Sequence, residues 1–189
     1  TVADYLVSEY NFTRKSFAGT LKDAVASVFG WDREMLEGKT DESRQWREQV
    51  DQWWAERLNM PNLTPRLMLQ QWGTEVCRRN FHSDIWVASF ERSLLNQSED
   101  IVVSDCRFPN EIDSVRNVGG KVILVRRGEL PHWMPMAVEA CKGNQEAIQY
   151  LNAINIHASE WSWADCLFDH TIYNNNTLED LYKNVDTLI

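Results

Sequence analysis

Two short apolar runs constrain this chain more than any other feature. Ile101-Val102-Val103 and Val122-Ile123-Leu124-Val125 are separated by a stretch that reads as a helix from about Asn110 to Val118, closed by Gly119-Gly120. Runs that are apolar without alternation suit strands buried on both faces, as in parallel sheets covered by helices. Strand, helix and strand at this spacing form a βαβ unit, which predicts parallel strands and a right-handed crossover. The fold class that follows is α/β with a short parallel sheet, and such sheets bind ligands at the carboxyl ends of their strands. Those ends carry Asp105, Arg107 and the pair Arg126-Arg127, with Glu111 opening the intervening helix. A carboxylate and a guanidinium there can orient a sugar hydroxyl and a phosphate. The same residues also suit a plain ion-pair network, in which Asp105 and Glu111 hold Arg107 at a helix start.

The other elements are read from caps and stripes. A helical pattern begins at Thr1, with Ala3, Leu6, Val7 and Tyr10 on one face. An opening of this kind, without Met, leads us to expect a segment ahead of it. Thr13 to Phe17 reads as extended. Thr20, with Asp23 three residues on, suits a cap for a helix striped by Leu21, Ala24, Val25, Val28 and Phe29 and ended by Gly30. Thr64-Pro65 starts a helix through about Asn80, since proline is favoured at the first helical position. Ser83 suits a cap for a helix carrying Trp86, Val87, Phe90 and Leu94. A third strand is expected near Phe168 to Tyr173, and a last helix after Thr177, striped by Leu178, Leu181, Val185 and Leu188. A chain of 189 residues suits one domain rather than two. We therefore expect a single domain over 1–189, with a core of 1–36, 61–127 and 157–189, a charged helical insertion at 37–60 and a mobile lid at 128–156.

Composition narrows the function classes. A net charge of −9 argues against a broad nucleic-acid surface, although local arginines can still hold a small anion. No apolar run is long enough to span a membrane and no signal segment opens the chain, so a soluble cytoplasmic protein is expected. Cys77, Cys106, Cys141 and Cys166 lack CxxC spacing and read as reduced thiols, and the four scattered histidines suggest no metal site. The other tryptophans read as core, and Trp86 suits either a base-stacking platform or plain core, with plain core the stronger by propensity. A second constellation is Arg66-Leu67-Met68-Leu69-Gln70-Gln71-Trp72-Gly73-Thr74. Glycine inside a helix costs about 1 kcal/mol against alanine, so Gly73 implies close approach of a ligand or of another helix. Arg44 and Arg47, in the charged insertion, are either a solvated face or substrate contacts. Arg66 and Thr74 are expected to share one crevice with Asp105 and Arg107.

Together these segments resemble the deoxynucleoside monophosphate kinases of large bacteriophages. The resemblance rests on Phe17-Ala18-Gly19-Thr20-Leu21-Lys22-Asp23, on the Arg66–Thr74 segment with Asn80-Phe81 and Trp86 behind it, and above all on Val103-Ser104-Asp105-Cys106-Arg107-Phe108-Pro109-Asn110-Glu111. His157-Ala158-Ser159-Glu160 and Asn174 through Leu181 resemble further family elements; 37–60 and 128–156 are least alike. The resemblance implies a P-loop kinase-like three-layer fold with a helical monophosphate-binding insertion and a lid. It implies a GxxxxGK-type phosphate loop just ahead of Thr1, without which the chain as given should be inactive. It also implies phosphorylation of deoxynucleoside monophosphates by ATP with Mg²⁺. Lys22, Arg66, Gln70, Gly73, Thr74, Trp86, Asp105, Arg107 and Glu111 would hold the acceptor. Arg44, or Arg47 in its place, would reach the transferring phosphate beside Arg66 and Arg107, while Thr1, Arg126 and Asn174 would serve ATP. A homodimer in the host cytoplasm is expected if the protein is phage-encoded. The alternatives are another small-molecule kinase, such as a dephospho-coenzyme A or phosphomevalonate kinase, and a catalytically inactive relative acting as a binding or regulatory subunit.

Overall fold

The computed structural model describes residues 1–95 and 97–189 and divides into two units, residues 1–15 with 98–189 and residues 16–97. In the first unit, helix α1 (Val2–Tyr10) leads into strand β1 (Thr13–Lys15), which pairs in parallel with β2 (Ile101–Val103), Thr13 opposite Ile101. A helix, Pro109–Asn117, follows β2. Strand β3 (Ile123–Arg126) pairs in parallel with β4 (His170–Tyr173), Ile123 opposite His170. The βαβ expectation is therefore met in element order and corrected in pairing. β2 and β3 flank a helix but belong to two separate two-stranded sheets, because each finds its parallel partner far away in sequence. The strands are also half-buried rather than closed on both faces.

One apolar cluster serves both sheets. Leu6, Ile172, Leu181 and Val185 are its buried centre, with Val102 of β2 and Ile123 of β3 packed against it. Leu181 and Val185 come from the final helix, Leu178–Asp186, whose Thr177 hydroxyl accepts the Asp180 N–H at 3.2 Å as the cap pattern predicts. Tyr5 stacks on Tyr182 with ring centroids 4.0 Å apart, and the Tyr5 and Tyr10 hydroxyls both donate to Asp186.

In the second unit the chain is almost wholly helical: α2 (Gly19–Phe29), α3 (Arg33–Glu37), α4 (Asp41–Glu48), α5 (Gln52–Leu58), α6 (Pro65–Gln70) and α7 (Ile85–Leu94). Gly30 ends α2 at φ 68°, a left-handed conformation that glycine adopts without penalty. Thr64 caps α6, accepting from Leu67 N–H at 3.1 Å, with Pro65 at the first position as expected. Thr20 does not cap α2, which begins one residue earlier; its hydroxyl instead accepts a hydrogen bond from Ser89. Nor does a side chain cap α7.

The helix expected to run to Asn80 changes winding after Gln70 and continues as a π-helix, Gln71–Arg79. Such wide turns are rare and costly and gather where a site or tight packing demands them. The packing is visible at Gly73, where an added Cβ would lie 2.9 Å from Leu21 Cδ2, so a neighbouring helix accounts for this glycine. Trp86 donates its indole N–H to the Gly73 carbonyl at 2.9 Å and is 7% exposed, inside the cluster of Leu21, Val25, Phe29, Trp31 and Leu36. Of the two readings of Trp86, the packing is that of a core residue, because its polar edge finds a partner there. Trp53 is the exposed one.

The first unit also holds α8 (Pro109–Asn117), α9 (Met134–Cys141) and α10 (Gln145–Ala153). The last two pack on each other around Ala137, Ala147 and Leu151, none of them accessible to solvent. Alanines make this contact close, which is why the segment's hydrophobic period looked weak in the sequence. Trp86→Phe should leave the buried Gly73 carbonyl without its donor. Unsatisfied buried groups cost about 1–3 kcal/mol, so the urea midpoint should fall accordingly; an unchanged midpoint would remove the bond from the account of the core.

Candidate functional site

β2 stops at Val103 and α8 begins at Pro109, and the turn between them carries the most specific sequence motif. Glu111, 2% exposed, holds that turn: its carboxylate accepts the backbone N–H of Arg107 at 2.7 Å and of Phe108 at 3.1 Å. Glu111 is thereby tied into the main chain of the turn. A charge-assisted bond to main-chain donors fixes the backbone from which Arg107 projects. The Arg107 side chain is 49% exposed and donates from Nη1 to Glu160 Oε1 at 2.5 Å. Asp105 is half-buried beside it in sequence. Burial, reinforced by the Glu111 and Asp105 carboxylates, pushes the Cys106 thiol up to about 12. The thiol stays neutral, so it does not compete with a ligand anion for Arg107.

Glu160 ends a short 3₁₀ turn, Ala158–Glu160, capped by His157, whose Nδ1 accepts the Ser159 N–H at 3.3 Å. The same Glu160 lines a cavity of about 280 Å³ with Leu124, Arg126, Arg127, Trp133 and Trp163. Arg126 lies over the Tyr173 ring at 5.4 Å, and its carbonyl accepts the Asn174 N–H at 2.7 Å. Gly128 N–H donates to Asn175 Oδ1 at 2.7 Å, closing the same corner. Arg126 and Asn174, expected to act together, are therefore neighbours. Thr1 is the N-cap of α1.

The remaining residues lie in the unit of residues 16–97. Lys22 is paired with Glu37 at 2.7 Å, both largely buried, and Arg33 joins Glu37 to Asp23. Burial opposes the charge on Glu37, yet the hydrogen bonds from Lys22 and Arg33 hold its carboxyl below the usual range. Lys22 is thus built into the helix packing. Arg66 makes an exposed pair with Glu48 at 2.8 Å, while Gln70 and Thr74 are half-buried on α6 and the π-helix. Arg44 donates to the carbonyls of Gly38 and Lys39 and pairs with Asp41, holding the end of α3. Arg47 lies against Gly38, where a Cβ would fall 2.2 Å from Nη2, and its buried Nε has no hydrogen-bond partner. Burial, with the charges of Arg66 and Arg44, lowers the Arg47 pKa. Of the two arginines left open by the sequence, Arg44 is engaged with backbone and Arg47 is the less satisfied.

Sequence reasoning assigned no role to Glu160, Trp133 or Trp163. The His157–Glu160 element was its only trace of the first; nothing local distinguishes the two tryptophans from core residues. Alkylation of Cys106 at pH 8, followed peptide by peptide, should be at least about a hundredfold slower than that of a free thiol, because only the thiolate reacts. Labelling at the free-thiol rate would contradict the burial of this turn.

Among known families, the model described as deoxynucleotide monophosphate kinase matches residues 32–133. The chain is 33% identical over 139 residues to the "Putative deoxynucleotide monophosphate kinase" of Acanthamoeba polyphaga mimivirus, a match covering 67% of this chain and 67% of that protein. It is 42% identical over 55 residues to the deoxynucleoside-5'-monophosphate kinase of Escherichia phage T5, which covers 29% of this chain and 22% of the phage protein.

Proposed function

This chain belongs to the deoxynucleotide monophosphate kinase family, a family of phosphotransferases, and from that premise we propose that the protein phosphorylates deoxynucleoside monophosphates with ATP. The observation that carries the reading is Arg107: half-exposed, at the carboxyl end of a parallel strand, on a turn fixed by a buried carboxylate. In this reading Arg107 clamps the acceptor's phosphate and Asp105 faces its sugar. Within the unit of residues 16–97, Arg66, Gln70 and Thr74, with Arg47 ahead of Arg44, are carried as separate candidates for contact with the acceptor. The cavity beside Arg126, Arg127 and Asn174 takes ATP, and the α9–α10 hairpin acts as its lid.

The reading extends to a P-loop kinase layering, with a glycine-rich phosphate loop entering α1 at Thr1. Its support is that β2 and β3, both unpaired on one edge among the described residues, pack into one apolar cluster under α1 and the final helix. A further parallel strand between them would complete a single sheet. No three His, Cys, Asp or Glu side chains gather as metal ligands among the described residues. Mg²⁺ would arrive held by the nucleotide phosphates, as that ion usually does.

Chemically, a phosphate oxygen of the acceptor forms the new bond to the γ-phosphorus. The bond to the β–γ bridging oxygen breaks, and its electron pair leaves with ADP. The acceptor phosphate is largely dianionic at neutral pH, so no general base is required. Bound Mg²⁺ screens the phosphate charge. The residues named here orient the two nucleotides and exclude water, which is most of what this reaction asks of a protein.

Arg107→Ala in the natural full-length protein should lower kcat/KM at least about tenfold, the loss expected when a charge-assisted contact of roughly 1.5–3 kcal/mol is removed. Arg107→Lys should not restore it, because an ammonium lacks the planar fork. A variant with a lowered melting temperature and near-normal kcat/KM would make Arg107 a structural residue instead.

A further inference from the structure

Glu160 occupies two places at once. Its carboxylate receives Arg107 Nη1 at 2.5 Å, and its side chain forms part of the wall of the cavity lined by Arg126, Arg127, Trp133 and Trp163. It is also physically joined to the α9–α10 hairpin. Trp161, the next residue, and Trp163 pack against the hairpin's buried alanines, and the Cys141 thiol at the end of α9 lies 3.4 Å from the Trp161 carbonyl. A displacement of the hairpin therefore moves Glu160, and a displacement of Glu160 moves the guanidinium it holds. The contact is single: Nη1 meets one carboxylate oxygen, and half of the Arg107 side chain still faces solvent. An arginine has five N–H donors, so this contact leaves donors to receive an anion while Glu160 sets their direction.

We propose that Glu160 is a positioning residue that couples occupancy of the Arg126–Trp163 cavity to presentation of Arg107, so that a nucleoside triphosphate in the cavity tightens binding of the phosphomonoester at Arg107. The inference rests on the reading of Arg107 as the acceptor's phosphate ligand. Its physical basis is a rigid piece with two contacts. Filling the cavity shifts the hairpin, the hairpin carries Glu160, and the ion pair turns Arg107 toward or away from its ligand. Coupling between two binding events is reciprocal, so the monophosphate tightens the triphosphate by the same factor. Both partners are half-exposed, so the effect is modest, and pairs of this kind change equilibria by about two- to fivefold.

The test uses the natural full-length protein, a non-hydrolysable ATP analogue with Mg²⁺, and the deoxynucleoside monophosphate it turns over fastest. Calorimetry gives the monophosphate Kd with and without the analogue. In the wild type the analogue should lower that Kd by about two- to fivefold. In Glu160→Gln, which keeps the shape and removes the charge, the ratio should fall to about one, and Glu160→Asp should recover part of it. Glu139→Gln, which removes a carboxylate on the same hairpin paired with the exposed Lys142, should leave the ratio as in the wild type. A merely structural role for Glu160 would lower the melting temperature without moving this ratio. A wild-type ratio of one, or a full ratio in Glu160→Gln, overturns the inference. Arg107→Ala separates the two levels: an unchanged monophosphate Kd there defeats the reading of Arg107 itself. A weakened Kd there, with the ratio intact in Glu160→Gln, defeats only the coupling.

Discussion

Parallel strand pairing is the constraint on which the rest of this protein depends. Two parallel strands cannot be joined by a tight turn, so each pair requires a long excursion between its members. Here those excursions are large. Between Lys15 and Ile101 the chain makes the whole helical unit of residues 16–97, and between Arg126 and His170 it makes the α9–α10 hairpin and the turn bearing Glu160. The strands are three or four residues long, and the candidate site residues lie either at their carboxyl ends or on what leaves from them.

Within that frame, carboxylates decide what each cation is free to do. Glu111 is engaged by backbone and so builds the turn, Glu37 holds Lys22 and Arg33 inside the helical unit, and Glu160 meets Arg107 at the surface. On a chain with a net charge of −9, a cation reaches a ligand only where its acidic partner is absent or occupies one edge. Arg107 meets the second condition, and Arg47, with its unbonded Nε, comes nearest the first.

The aromatic residues show the limits of reading side chains one at a time. In the sequence Trp86 suits either a platform or plain core, and Trp53 reads as core. Trp86 is buried because the Gly73 carbonyl receives its indole N–H, and Trp53 is exposed because its helix turns it outward. Gly73 itself was legible as a position of close approach, but whether a ligand or Leu21 approached it was not.

What the sequence by itself determined was local: the caps at Thr64 and Thr177, the stop at Gly30, the strand–turn–helix order around Asp105, and the motif that places the chain in its family. These rest on interactions within a few residues, so their signal lies within a few letters. The tertiary structure alone decided that β2 and β3 belong to different sheets, that Glu111 faces the backbone, and that Glu160 meets Arg107 across 53 positions. Strand pairing and ion-pair choice are settled by which distant groups the apolar clusters bring within reach, and residue type at one position carries no record of that distance.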